Sequence, residues 1–541
     1  MIRSTTVRTK AFTTMRRAAL LFLAATACTA QSPANPASLI TPADLKADIY
    51  FLASDDMAGR NIGSIEDHIA TDYIAAEFMR LGLKPVGDNG TYFQNMDILS
   101  GDVDKQHTTL TAKLDGVDHT YAIDKDFRWN RQSLRADNAC GPILFAGYGI
   151  SAPEFAYDDL AGTDLKGKVV MVFGREPQAG DPTSRFMGTL DSYHAFFWDK
   201  VEELRKRGAA AVLIVQDRVP RSVKPIPASA VRSAGGPSYA LAGQMWDLPV
   251  FTIDRDVADR MLAASGKTSD ALQAGIDHTL KPQTFEVPRS SVCLTKAYTG
   301  LKTIHGRNVV AMLEGSDPAL KAQTIILTAH HDHMGVIDGH IFHGADDNAS
   351  GVAGILGVAR AMVKGGVKPK RSVLFIAYDG EERIFLGSYF YVTHPIVPLA
   401  NTVANINLDM IGRDEEDPNW PLPTDHNANM VNVLGTRYNL SLRRIIDTGN
   451  KEGLKLDYKM DTVDPDSLWS RSDHFWFATL HIPQVEFQTG LHHDYHTEND
   501  SWDRINYPKL TRIVRLVFRS VDELAGSSEK IAFTPAGTPA K

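Results

Sequence analysis

Thr324-Ile-Ile-Leu-Thr-Ala-His-His-Asp-His-Met-Gly335 is an apolar run of strand length that stops abruptly in three histidines and an acid. A short continuous apolar run closed by a glycine reads as a strand buried on both faces. Such strands occur where helices cover both sides of a parallel sheet. Similar runs stand at 309–313, 373–378, 403–409 and 483–487, and helical patterns at 348–363 and 510–524 alternate with them. This alternation predicts an α/β fold, a mostly parallel central sheet flanked by helices.

Histidine is concentrated in the same place. Of 18 in the chain, His330, His331, His333, His340 and His343 fall within fourteen residues. A lone histidine is usually structural, but ligands in open α/β sheets bind beyond the carboxyl ends of the strands, and this cluster sits at such an end. Acids occupy equivalent positions: Asp346 and Asp347 before a helix, Asp379-Gly-Glu-Glu382 and Asp409 at two strand ends, and Tyr495-His-Thr-Glu-Asn-Asp500 in a late loop. Two histidines with three carboxylates suit a pair of divalent ions, zinc above all. Two metals can share a water and polarise a carbonyl, which suits amide hydrolysis. The adjacent Glu381 and Glu382 offer one metal ligand and one proton carrier, because consecutive side chains point in different directions.

The composition is that of an ordinary globular chain: 541 residues, 43% hydrophobic and 23% charged, with 57 basic against 65 acidic residues and a net charge of −8. That balance speaks against a nucleic-acid partner. Residues 1–27 carry Arg3, Arg8, Lys10, Arg16 and Arg17, no acid, and an apolar run too short to span a membrane. They read as an export signal. The expected destination is the periplasm, the outer membrane or the medium. Ala25-Thr-Ala-Cys28 partly matches a lipoprotein box, which makes Cys28 a lipidation candidate beside ordinary signal cleavage. An oxidising compartment permits Cys140 and Cys293 to form a disulfide.

The remainder divides by its hydrophobic period. A linker at 28–41 precedes an N-terminal part of the catalytic domain at 42–135, with helices at 44–53 and 64–81. Short strands dominate 136–292, which lacks any dense group of histidines and acids and reads as a binding or covering domain. Residues 293–525 hold the candidate site, and the Ser-, Pro- and Gly-rich tail 526–541 reads as disordered.

The motifs His330-His-Asp332, Gly344-Ala-Asp-Asp-Asn-Ala-Ser-Gly351, Asp379-Gly-Glu-Glu382, Asn407-Leu-Asp-Met410 and Tyr495-His-Thr497, in this order, resemble the secreted co-catalytic dizinc aminopeptidases, the bacterial leucyl aminopeptidase-like metallopeptidases. The resemblance implies two zinc ions per chain and a peptide substrate. His330 and Asp409 would bind one ion, Glu382 and His496 the other, and Asp346 would bridge them. Glu381 would be the general base and Tyr495 would donate to the oxyanion. Asp332 would orient His330, Asp347 would support the turn at Asp346, and Asp473, with His474, would line the site or serve the structure. The remaining histidines of the cluster fall outside the implied ligand pattern. A cis peptide between Asp346 and Asp347 is implied as well.

Asp164-Leu-Lys-Gly-Lys-Val-Val170, Gly208-Ala-Ala-Ala-Val-Leu-Ile214 and 248–253 look like a protease-associated (PA) domain inserted into the catalytic fold, with Cys140 and Cys293 near its edges. Glutaminyl cyclases share the fold but use one zinc, and a non-catalytic PA-domain binding protein is the third reading. A monomer is expected.

Overall fold

The run beginning at Thr324 forms the strand Thr324–His330, buried along its whole length. It lies between the parallel strands Ser372–Tyr378 and Thr402–Leu408, and the latter pairs in parallel with Gln484–Gln488. These four strands run the same way, so His330, Tyr378, Leu408 and Gln488 end on one edge and the residues after them share one place in space. The protein is seen in a computed structural model, which describes residues 35–129, 138–217, 237–242, 248–416, 427–464 and 467–536. The signal-like segment 1–27, the lipidation candidate Cys28 and the tail residues 537–541 lie outside the described residues.

Among the described residues the main sheet has ten strands. Antiparallel strands close it on both sides: Tyr298–Leu313 beside Ser372–Tyr378, and Met430–Leu434 beside Gln484–Gln488. The helices Pro42–Leu52, Ile65–Arg80, Gly351–Lys364 and Tyr507–Gly526 contribute to one apolar core with its strands. Gly351–Lys364 lies especially close to the sheet. A Cβ on Gly351 would stand 2.5 Å from the Leu408 carbonyl oxygen, and one on Gly354 would stand 2.8 Å from Leu408 Cδ1. Glycine at these positions lets the helix seat itself on the strand that leads into Asp409.

The strand-rich module forms a second sheet of eight strands with its own core. Its extent corrects the boundaries read from sequence. Thr109–Leu114, Val117–Tyr121 and Phe127–Trp129 belong to it, although they precede residue 136, and Thr284–Thr295 runs through the expected boundary at 292. Ser238–Leu241, from within the module, instead pairs with Phe93–Val103 at the edge of the main sheet. No break in composition marks these points, because edge strands of both sheets carry the same mixture of apolar and polar residues. Cys140 and Cys293 face each other across paired strands and form a disulfide, with Cα atoms 4.1 Å apart.

The disorder expected over 526–541 is corrected for residues 526–536. Phe533 stacks on Tyr438 with ring centroids 5.3 Å apart, and Arg371 Nη2 donates to the Glu529 carbonyl oxygen. One aromatic anchor offsets a composition that otherwise favours a free tail. Among the described residues no helix is long and apolar enough to cross a membrane.

Candidate metal centre

His330 is the last residue of its strand and is buried. Its Nδ1 lies 3.2 Å from the Asp332 carbonyl oxygen, so the Nδ1 proton is donated there and the Nε2 lone pair faces inward. Nε2 stands 3.4 Å from Asp409 Oδ1 and 3.3 Å from Asp347 Oδ1. The other oxygen of Asp347 is 3.0 Å from His496 Nε2, which is in turn 3.4 Å from Glu382 Oε2. Asp347 therefore stands between two groups of donor atoms.

This reassigns the shared position from Asp346 to its neighbour. Asp346 Oδ1 accepts from the Gly412 amide at 2.6 Å, and Oδ2 lies 3.2 Å from His492 Nε2. The Asp346 and Asp347 amides donate to the carboxylate of Asp500, fixing the turn. Asp346 thus supports the turn, the role expected of Asp347. An acidic doublet presents two carboxylates on different sides, and the partners that decide between them are far away in sequence. The cis peptide falls between Asp347 and Asn348, one bond later than expected.

His333, left out of the expected ligand set, joins the second group. Its Nδ1 is 2.6 Å from Glu382 Oε1 and 4.0 Å from Asp347 Oδ2. The signal was its membership of the histidine-rich run. Its position became evident only once the chain turned after His330, with the His333 amide donating to the Arg60 carbonyl oxygen. Arg60 is itself fully buried and ties the two ligand-bearing loops together. Its guanidinium donates to the carbonyl oxygens of His331, His343 and Gly344 at 2.8, 2.6 and 2.9 Å.

The remaining predicted residues lie around these two groups. Asp332 Oδ1 is 3.7 Å from His330 Nδ1 and accepts the Glu381 amide at 3.0 Å, so it touches both. Glu381 Oε2 stands 3.8 Å from His330 Nε2. Burial pushes the Glu381 carboxyl well above the usual range; His330 opposes this, and Asp409 and Glu382 add to it. Burial also raises Asp347, but the imidazoles of His330 and His496 outweigh it and hold that carboxyl well below its ordinary value. Tyr495 stacks on the His496 ring at 3.8 Å, and its hydroxyl accepts from Arg471 Nη2 at 3.0 Å. Asp473 accepts from Ser388 Oγ at 2.5 Å, and burial pushes it up to about 7. His474 turns away toward Glu486, 3.2 Å distant, while His340 and His343 lie near Glu498.

The donor set fits zinc. His330 Nε2, His333 Nδ1, Glu382 Oε1 and Asp409 Oδ1 are buried without hydrogen-bond partners, yet they converge with Asp347 in two clusters. Imidazole nitrogens and carboxylate oxygens converging at such distances in a buried place suit a bound cation. Buried nitrogen and oxygen donors of this kind, beside a glutamate of raised pKa, suit zinc-dependent hydrolysis. Residues 308–521 match Peptidase family M28.

Among relatives, the uncharacterized protein YfbL of Escherichia coli (strain K12) is 29% identical over 228 residues, 38% of this chain and 68% of that protein. Aminopeptidase YwaD of Bacillus subtilis (strain 168) is 23% identical over 394 residues, 71% of this chain and 69% of that one. The solved aminopeptidase from Aneurinibacillus sp. strain AM-1 is 20% identical with a TM-score of 0.47, covering 92% of this chain and 97% of its own.

Proposed function

We propose that the protein is an exported aminopeptidase that holds two zinc ions and releases N-terminal residues from peptides. The observation that carries this reading is Asp347, whose two oxygens face separate donor groups. His330 and Asp409 would complete one position, and Glu382, His496 and His333 the other. Two zinc ions there would lower the pKa of a shared water and polarise the scissile carbonyl. Glu381 would take the proton from the attacking water and deliver it to the leaving amine, a task matched to a carboxyl of raised pKa. The Tyr495 hydroxyl, oriented by Arg471, would donate to the developing oxyanion. Release from the N-terminal end rests on the family resemblance, and the name of YwaD agrees.

Export, by the basic and apolar segment at 1–27 with Cys28 as a candidate anchor, belongs to the same proposal. The second sheet would be the PA-type covering domain, limiting access to peptide ends. Zinc content and hydrolysis of aminoacyl chromogenic substrates, measured on one sample, test the reading. Two zincs per chain with chelator-sensitive release of the N-terminal residue are expected. One zinc, with cyclisation of N-terminal glutamine, would replace the reading with a glutaminyl cyclase.

A further inference from the structure

A second group of buried donors lies beside this centre and takes no part in it. His331 follows the ligand His330 but faces the opposite way. Its Nε2 lies 3.2 Å from the Arg307 carbonyl oxygen, to which it donates, leaving the Nδ1 lone pair 3.0 Å from Asp67 Oδ1. A carboxylate oxygen of Asp379 stands within 4.8 Å of both atoms.

Each carboxylate uses one oxygen on the main chain. Asp67 Oδ2 accepts the Gly63 amide at 3.1 Å, and Asp379 Oδ2 accepts the Arg307 amide at 2.8 Å. The approach to Asp379 needs glycine at 306, where a Cβ would stand 2.7 Å from Oδ2. The remaining atoms, Asp67 Oδ1, Asp379 Oδ1 and His331 Nδ1, are buried without hydrogen-bond partners, in residues at most 1% exposed. The two nearby guanidiniums are engaged elsewhere. Arg60 donates to the carbonyl oxygens named above, and Arg307 donates to Thr71, the His68 carbonyl oxygen and Asp72.

A ring nitrogen whose partner nitrogen donates to a carbonyl, facing two carboxylate oxygens in a dry place, suits a metal ligand. We infer that Asp67, His331 and Asp379 form a third cation site, structural and distinct from the catalytic pair, which takes a divalent ion of the zinc class. Two carboxylates neutralise such an ion, and imidazole nitrogen and carboxylate oxygen are both zinc donors. The ion would join helix Ile65–Arg80 to the ends of the two strands that carry His330 and the Glu381–Glu382 pair. It would hold the helix against that edge of the sheet without touching substrate.

The test is site-resolved anomalous diffraction at the zinc edge on the full chain loaded with three equivalents of zinc. A peak roughly 2.0–2.2 Å from Asp67, His331 Nδ1 and Asp379, separate from any density at Asp347, is expected. Density at Asp347 with none at His331 would overturn the third site alone; density at neither would overturn both it and the two-zinc reading. Elemental analysis of Asp67→Asn, which keeps an acceptor for Gly63, should show one zinc fewer per chain. Unchanged content in that variant would equally sink the assignment, and the diffraction result on the native chain does not depend on the variant folding.

Discussion

Asp346 and Asp347 are chain neighbours with opposite allegiances: Asp347 Oδ2 is 3.0 Å from His496, whereas Asp346 Oδ1 is 2.6 Å from the Gly412 amide. Removing the first should therefore empty the centre, and removing the second should not. Asp347→Ala is expected to lose bound zinc and activity together. Asp346→Asn, which can still accept from Gly412, is expected to keep its zinc while losing about 1–3 kcal/mol of stability. Elemental analysis of both purified variants decides, and zinc loss confined to the Asp346 variant would restore the bridge to that residue.

Glu381 stands at the edge of the donor groups, 3.8 Å from His330 Nε2. Glu381→Gln should hold its metal and lose roughly 10²–10⁴-fold in kcat, the size of effect expected for a positioned proton carrier. Equal losses of zinc and rate would make Glu381 a ligand instead.

His333 touches Glu382 rather than the His330 side. His333→Ala should lower affinity for the ion held by Glu382 and His496 by more than the roughly 10–100-fold that loss of an outer-shell partner costs, and spare the other position. Stepwise zinc titration with a competing chelator would reveal one weakened site of two.

His194, buried in the second domain, lies 3.1 Å from Asp199 and 2.8 Å from Glu154. Burial alone would lower its pKa, but the two carboxylates prevail and raise it to about 9 from an ordinary 6.5. A raised histidine pKa contributes stability that is fully present below about 6.5 and is lost as pH rises through about 9. Urea unfolding should show a decline of up to about 3 kcal/mol across that window. His194→Asn should flatten the decline.

The disulfide between Cys140 and Cys293 closes a long segment, the two residues standing 153 positions apart. Replacing both by serine should cost about 2–5 kcal/mol, read as a lower urea midpoint. An unchanged midpoint would mean that the paired strands alone hold the segment.

The parallel core was legible because each strand is a short run buried on both faces, a pattern that survives without knowledge of its neighbours. The residues at the strand ends were legible for the same reason, hence His330 and Asp409, whereas Glu382 and His496 were singled out by the family resemblance. The choice between Asp346 and Asp347 was not, since it depends on Asp500 and Gly412. His333 was hidden because a turn, not a periodic element, carries it inward. Edge strands such as Phe93–Val103 alternate weakly, and Ser238–Leu241 takes its place through pairing with that distant segment.

The strand Phe93–Val103 pairs with Tyr298–Leu313, Val103 opposite Tyr298, although the whole second sheet lies between them in the chain. Where that module leaves and returns, the Asp104 amide donates to the Ala297 carbonyl oxygen at 2.9 Å. Closing so long a loop from a disordered chain costs entropy that grows with its length, and such distant pairings fold slowly. A module that folds first delivers its two ends side by side and removes most of that cost. We therefore expect a fixed order of assembly, with the inserted sheet gaining amide protection before the strand that carries His330, an order that pulse-labelled hydrogen exchange would display. Catalytic competence would then arrive last, giving a newly made chain an interval in which it is folded in part and harmless to its neighbours.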